Sequence, residues 1–202
     1  KLSNTGCNIV FAPEVTEMYP DNKIEESFDF GHLESVMEGK FRPGHFNGVA
    51  VVVKKLFEIV MPTNAYFGEK DYQQLLIIKE LVKKLSIIVN IIPHPIVRED
   101  DGLAMSSRNL RLTSDERKIA PLIYRTLKKA KENSHKMSLI DTKMWVTNEI
   151  NSINGFKLEY FEVLDADNLN VISDWNEAEK IIGCIAVFLG DVRLIDNIFL
   201  RD

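Results

Sequence analysis

The residues best suited to chemistry lie in two short stretches separated by a helix-length and a strand-length of apolar sequence. The first is Phe67-Gly68-Glu69-Lys70-Asp71-Tyr72-Gln73-Gln74, and the second is Asp101-Gly102-Leu103-Ala104-Met105-Ser106-Ser107-Arg108-Asn109. In the first, a strand ends, Gly68 makes the turn, and Lys70 and Asp71 stand at the start of a helix. There, unpaired amides and the positive end of the helix dipole point where an anion would sit. Gly68 has no side chain to keep a phosphate from the backbone. Lys70 adds a point charge able to neutralise phosphate in a transition state. Gln73 and Gln74 can donate hydrogen bonds to a carboxylate without adding charge. A capped helix after a surface turn, with Asp71 as the cap, is the plainer reading of the same residues.

In the second stretch Gly102 allows a tight turn and Met105 offers an apolar contact for a flat base or sugar. Ser106 and Ser107 supply hydroxyl donors, and Arg108 supplies a planar fork suited to phosphate. A flexible loop of this kind can close over a triphosphate and stabilise charge on departing pyrophosphate. Read plainly, it is a polar hinge, with Asn109 and Thr113 capping the helix that follows. Asp100 and Asp101 could hold magnesium but read more simply as solvated carboxylates. His45, in the turn Arg42-Pro43-Gly44-His45, could act as a base or could simply shape the loop. The segment Gly190-Asp191-Val192-Arg193-Leu194-Ile195-Asp196-Asn197 reads as a structural hairpin with an internal Arg–Asp pair and no catalytic role.

Composition narrows the possibilities. The chain has 202 residues, enough for one domain or two small ones. Its 25 Lys+Arg against 30 Asp+Glu argue against a nucleic-acid-binding surface. No apolar run reaches the about 18 residues of a membrane-spanning helix, and no signal-peptide pattern opens the chain. Cys7 and Cys184 form no metal or redox motif, so both are expected to be buried thiols in a reducing cytoplasm. The four histidines lack zinc-ligand spacing, and no metal site is expected.

These residues need elements to position them. Residues 8–11 read as a short buried strand stopped by Pro13, followed by a turn at Tyr19-Pro20-Asp21-Asn22. Residues 31–38 suit a short helix closed by Gly39. Val49, Val52, Val53, Leu56, Phe57 and Val60 recur at helical spacing and predict one apolar face on a helix ended by Met61-Pro62. Residues 65–67 read as a short buried strand and 87–92 as an apolar one, around a helix at 71–85, an alternation that implies parallel pairing. Beyond Val97 two helices, 114–133 and 139–153, precede alternating strands at 157–164, 181–189 and 192–200, with a turn at Gly190-Asp191. The expected fold class is α/β: a doubly wound, Rossmann-like parallel sheet, without its leading half, plus a small α+β domain with an antiparallel sheet. The division falls into residues 1–96, the nucleotide-binding half, and 97–202, the lid.

Taken in order, R-P-G-H-F-N-G-V, F-G-E-K-D-Y-Q-Q, V-R-E-D-D-G-L-A-M-S-S-R-N and R-L-I-D-N resemble the pantothenate synthetase family along essentially the whole chain. That resemblance alone implies that the parallel sheet is of the class I nucleotidyltransferase kind. It also implies ATP contacts at Gly68, Glu69, Lys70, Asp71, Met105, Ser106, Ser107 and Arg108, and at Val97 through its backbone. Of these, Lys70, Ser106, Ser107 and Arg108 would stabilise phosphate charge. It further implies that Gln74 holds pantoate and that Val52, Val53 and Phe67 line the pantoate pocket. The implied reaction joins (R)-pantoate to β-alanine through a pantoyl adenylate, using ATP with Mg2+ and releasing AMP and pyrophosphate, in a cytoplasmic homodimer. No tightly bound cofactor, nucleic acid or membrane enters.

The chain departs from the family pattern at its start. The M-G-x-L-H-x-G-H segment that supplies catalytic histidines is not among these residues, and no histidine present matches it. The expectation is a downstream part of a longer polypeptide, inactive or nearly so alone. Two other readings remain open: a related nucleotidyltransferase-like adenylating enzyme, and a non-catalytic lid and dimerisation module.

Overall fold

Two sheets organise the chain in the computed structural model, which describes residues 2–19 and 26–202. Strands β1 (Asn64–Gly68) and β2 (Asn90–His94) pair in parallel, with Asn64 opposite Asn90 and Gly68 opposite His94. Parallel neighbours need a crossover, usually helical; here the chain between them contains a helix, Tyr72–Leu85. Strands β3 (Phe156–Asp165), β4 (Ile181–Leu189) and β5 (Val192–Arg201) form a separate antiparallel sheet in that order. The α/β class and the second, antiparallel sheet are therefore as expected.

In chain order the helices are α1 (Val15–Met18), α2 (Met37–Phe41), α3 (His45–Val60), α4 (Tyr72–Leu85), α5 (Ser114–Ile119), α6 (Leu122–Asn133) and α7 (Leu139–Ser152). Helices α6 and α7 cover the antiparallel sheet through Ile123, Leu127, Val146 and Ile150, which share a core with Phe161, Ile185 and Leu194. A second cluster joins Met37 and Leu76 to Leu164, Ile182 and Cys184, so the opposite face of β4 is also covered. A third packs Phe30, Phe46 and Ala50 against Ile77 and Leu81. Among the described residues no helix is long and apolar enough to cross a membrane.

Several local expectations need correction. Residues 8–11 form no strand, and Ile9 is 84% exposed, because no strand lies beside them among the described residues. Pro20, Asp21 and Asn22 of the expected turn lie outside the described residues. The 31–38 segment divides into a 3-10 turn, Gly31–Glu34, and α2. Gly39 lies inside α2 rather than after it: a Cβ there would stand 2.0 Å from the Glu34 carbonyl oxygen, so glycine is set by close approach and not by a C-cap. Helix α3 begins at His45, earlier than the apolar repeat suggests, and its fully buried positions are Phe46, Ala50, Val51 and Phe57. Val49, Val52, Val53 and Leu56 are only half-buried and Val60 is exposed, since the third cluster covers the helix from one side.

Strand β1 is not buried as expected, and Tyr66 is 66% exposed. The expected strand at 87–92 is displaced to Asn90–His94, leaving Ile88 in solvent. The helix expected over 114–133 breaks at Ala120-Pro121, where proline cannot donate to the helical ladder. Strand β4 does not alternate, because both its faces are covered; β5 comes closer to alternation. Cys184 is buried but Cys7 is exposed, since the segment around Cys7 packs into no core.

Candidate active site

Strand β1 delivers the chain to Gly68, a 3-10 turn carries Glu69–Asp71, and α4 starts at Tyr72. Asp71 occupies the N-cap position, yet its carboxylate makes no capping hydrogen bond and stays exposed. The backbone of the turn is held from outside. The Asn197 carboxamide donates to the Glu69 and Lys70 carbonyls at 2.8 and 3.0 Å. The lysine backbone is thus fixed while its side chain reaches a cleft shared with Asp71, Gln74, Arg42 and His45.

The second stretch is more ordered than a flexible loop. Its first half folds back as a tight hairpin: Glu99 donates to Leu103 at 2.8 Å, Gly102 to Glu99 at 2.8 Å, and Met105 to Val97 at 2.9 Å. Gly102 has φ +95, and Leu103 and Ala104 are buried. Asp101 accepts from the Leu103 amide and pairs with Arg117, so it is not the simply solvated carboxylate expected. Those partners outweigh a small burial penalty and hold its carboxyl below the usual range, the Arg117 hydrogen bond foremost. After Met105, which is half exposed, Ser106 caps a 3-10 turn, Ser107–Arg111, by accepting from the Arg108 amide at 3.2 Å. Thr113 then caps α5, as expected, in a box with Glu116, whereas Asn109, the other expected cap, donates to the Ala104 carbonyl at 3.0 Å instead.

The two stretches meet. Lys70, Ser106 and Arg108 line one cavity with Asn109 and Asp196. Among the described residues neither Lys70 nor Arg108 belongs to an ion pair. Among the described residues the Arg108 guanidinium donates only to the Arg193 carbonyl, at 3.2 Å. Two cations without carboxylate partners, beside a hydroxyl, suit a multiply charged anion. No cluster of three metal-ligating side chains occurs among the described residues.

The remaining candidates are placed less centrally. Gln74 lines the Lys70 cleft and is half-buried. Its neighbour Gln73, an equal candidate by composition, is committed elsewhere: its oxygen accepts from Glu38 N at 3.0 Å, and its nitrogen donates to the Leu33 and Val36 carbonyls at 2.7 and 2.8 Å. Phe67 lies edge-on to Phe57 with centroids 6.4 Å apart. Val53 is one helical turn before Phe57 and so on the same side of α3, but neither Val52, Val53 nor Phe67 lines the cavities around Lys70. The Val97 carbonyl is occupied by Met105, and Gly68, Glu69 and Ser107 contribute backbone and turn geometry.

His45 sits beside Arg42, with Nε2 3.0 Å from a guanidinium nitrogen. Burial and the Arg42 charge lower its imidazole below the usual value. Sequence reasoning missed most of the polar framework around this site. Arg193 and Asp196 do not pair with each other, because residues three apart on a strand face opposite sides. Arg193 instead donates to Glu38 at 2.6 and 2.9 Å and to Glu159 at 2.9 Å, and Tyr160 donates to Glu38 at 2.8 Å. Asp196 takes both ends of the Arg98 fork at 2.7 and 3.0 Å. The available signal was an acid and an amide side by side in a strand, flanked by the apolar Leu194, Ile195, Ile198 and Phe199.

The comparisons with known proteins place the chain among ligases. The family described as pantoate-beta-alanine ligase matches residues 1–199, and the chain belongs to that family. The pantothenate synthetase of Azobacteroides pseudotrichonymphae genomovar. CFP2 is 53% identical over 197 residues, covering 98% of this chain and 70% of that protein. That of Bacteroides fragilis strain YCH46 is 49% identical over 201 residues, covering 100% and 71%. The crystal structure of pantothenate synthetase from Thermus thermophilus superposes with a TM-score of 0.94 at 39% identity, over 100% of this chain and 72% of that one. Pantoate-beta-alanine ligase from Francisella tularensis, solved in complex with beta-gamma ATP and beta-alanine, gives 0.78 at 38% identity, over 98% and 67%.

Proposed function

We propose that this chain takes part in the ATP-dependent condensation of (R)-pantoate with β-alanine through a pantoyl adenylate, releasing AMP and pyrophosphate. The observation that carries the reading is the cavity where Lys70 faces Ser106 and Arg108. With MgATP as substrate, the ammonium and guanidinium would bear on the polyphosphate as the pantoate carboxylate attacks the α-phosphate. Such charges act most strongly when fixed beforehand and screened from water. The Glu69–Asp71 turn, Met105 and the Val97 backbone would complete the nucleotide contacts, with Ser107 supporting the turn. Gln74, without a hydrogen-bond partner among the described residues, would hold pantoate, and Val52, Val53 and Phe67, which lie outside the cavities around Lys70, would supply an apolar wall only further along the bound molecule. The amine of β-alanine then displaces AMP. The chain's part is to position reactants and stabilise phosphate charge.

On this reading residues 1–96 contribute to the nucleotide-binding unit and 97–202 to a lid, within a cytoplasmic homodimer. Because no histidine here matches the H-x-G-H segment, these 202 residues alone are expected to turn over little or not at all. The test is pantoate-dependent ATP–pyrophosphate exchange by the full-length protein and by this chain. Exchange by the full-length protein supports the assignment, and silence from a folded full-length protein overturns it. Equal exchange by both overturns the expectation for the isolated chain.

A further inference from the structure

Strand β5 carries an acid and an amide at positions whose sheet neighbours are not charged, and the proposed reaction uses neither. Asp196 stands opposite Ile185 and Asn197 opposite Cys184, with exposures of 5% and 4%. Buried polar groups need partners, and those of this dipeptide lie in the two active-site stretches. The Asn197 carboxamide donates to the Glu69 and Lys70 carbonyls at 2.8 and 3.0 Å. The Asp196 carboxylate receives the Arg98 fork at 2.7 and 3.0 Å. From there Arg98 continues to the Gly102 carbonyl at 3.1 Å, its guanidinium 3.5 Å from the centroid of the Tyr124 ring. The Asn197 amide donates back to Asp196 at 2.8 Å, which ties the two halves together.

We infer that Asp196 and Asn197 are positioning residues that set the distance between the Lys70 turn and the hairpin leading into Ser106–Arg108. The inference rests on the proposed function for its catalytic meaning. The two stretches belong to different parts of the fold, one between β1 and α4 and the other ahead of α5, and nothing in their own backbones fixes their separation. Strand β5, at the edge of the sheet but with Asp196 and Asn197 buried, can. Phosphate stabilisation depends on donors held in place before the reaction, and displacement by about 1 Å is enough to cost roughly 100-fold in rate.

The experiment uses the full-length protein with Asn197→Ala and Asp196→Asn, read by amide hydrogen exchange and by steady-state kinetics. Asn197→Ala should speed exchange in peptides covering 66–72 by roughly tenfold or more, leaving β3 and β4 at wild-type rates. Asp196→Asn should instead loosen 97–105. For Asn197→Ala, kcat should fall by about 10- to 100-fold with the KM for pantoate within about twofold, because the damage is to phosphate alignment. Should Asn197→Ala not fold, Asn197→Ser keeps a hydroxyl donor with shorter reach and is read in the same way. Unchanged exchange over 66–72 would overturn the inference, as would parallel losses across every substrate parameter. A wild-type protein without pantoate-dependent exchange would overturn the functional reading instead, while hydrogen exchange would still decide whether the dipeptide holds the two loops.

Discussion

Replacing Arg193 with methionine tests the buried network that joins α2 to the antiparallel sheet. Arg193 lies between Glu38 and Glu159, whose side chains are 12% and 15% exposed. Methionine keeps much of the aliphatic stem but leaves both acids without their main cation. Glu38 retains the Tyr160 hydroxyl at 2.8 Å and a distant Arg42 at 3.7 Å, too little to replace a bidentate guanidinium. Removing one partner of a buried ion pair costs about 3–5 kcal/mol. With ~2–4 °C per kcal/mol for a chain of this size, Tm at pH 7 should fall by roughly 6–20 °C.

The pH dependence gives a second check on the same variant. In the wild type, burial would raise the Glu38 carboxyl, but hydrogen bonds from Arg193 and Tyr160 and the charges of Arg193 and Arg42 hold it below the usual carboxylate value. Stability from such a group is complete above the unfolded pKa and is lost as pH falls through the lower folded value. In Arg193→Met the burial remains and the cation is gone, so the folded value rises above the unfolded one. The folded variant then takes up a proton before the unfolded chain does, and acidification stabilises it. The Tm gap should therefore narrow between pH 7 and pH 5, read by differential scanning calorimetry at both. Adding Glu38→Gln and Glu159→Gln, which removes the stranded charges, should recover part of the loss. A loss below about 2 °C at pH 7, or a gap that does not shrink on acidification, would refute this account.

Three further outcomes are expected. Lys70→Met should lower the rate of pantoate-dependent pyrophosphate exchange by about 100- to 1000-fold while Tm holds, because Asn197 grips the backbone carbonyl and not the ammonium. In thiol labelling of the native protein Cys7 should react promptly, whereas Cys184, buried and with its thiol pushed up by that burial, should react only after denaturation; two prompt thiols would refute it. Gly102→Ala must adopt φ +95 and place a Cβ 2.8 Å from the Tyr124 ring, which should cost about 1–3 kcal/mol in urea unfolding.

How much of this could be read from residues alone depended on range. The antiparallel strands were legible because turn glycine and apolar runs are local signals, and Gly190 at φ +54 between β4 and β5 bears this out. The break at Pro121 is a local signal too, since proline lacks the amide that a continuous 114–133 helix needs there. Burial was harder to read. Ile9, Tyr66 and Ile88 look like core residues, but whether an apolar side chain is covered depends on what packs against it from elsewhere in the chain. The same limit applied at the site. Lys70 and Arg108 stood out because their motifs are contiguous, whereas the partners that hold them come from β5 across very long sequence separations. Gln73 and Gln74 show how little type alone decides: adjacent and identical, one braces α2 and the other faces the cleft.

The β1–β2 pair has a consequence for how the chain behaves in a tube. A two-stranded parallel sheet leaves an outer edge on each strand, and among the described residues nothing pairs with either. Open edges offer a row of amides and carbonyls to any extended chain, including another copy. Pro93 removes one donor from β2, but the Asn-Ala-Tyr-Phe-Gly run of β1 carries no proline and no charge. In these 202 residues taken alone, self-association by strand addition should therefore begin along β1 and grow with protein concentration, and a longer polypeptide in which a further strand pairs with β1 should not show it. The net charge of −5 opposes it by mutual repulsion. Salt screens that repulsion while leaving the edge intact, so dilute, low-salt stocks are the ones expected to stay clear.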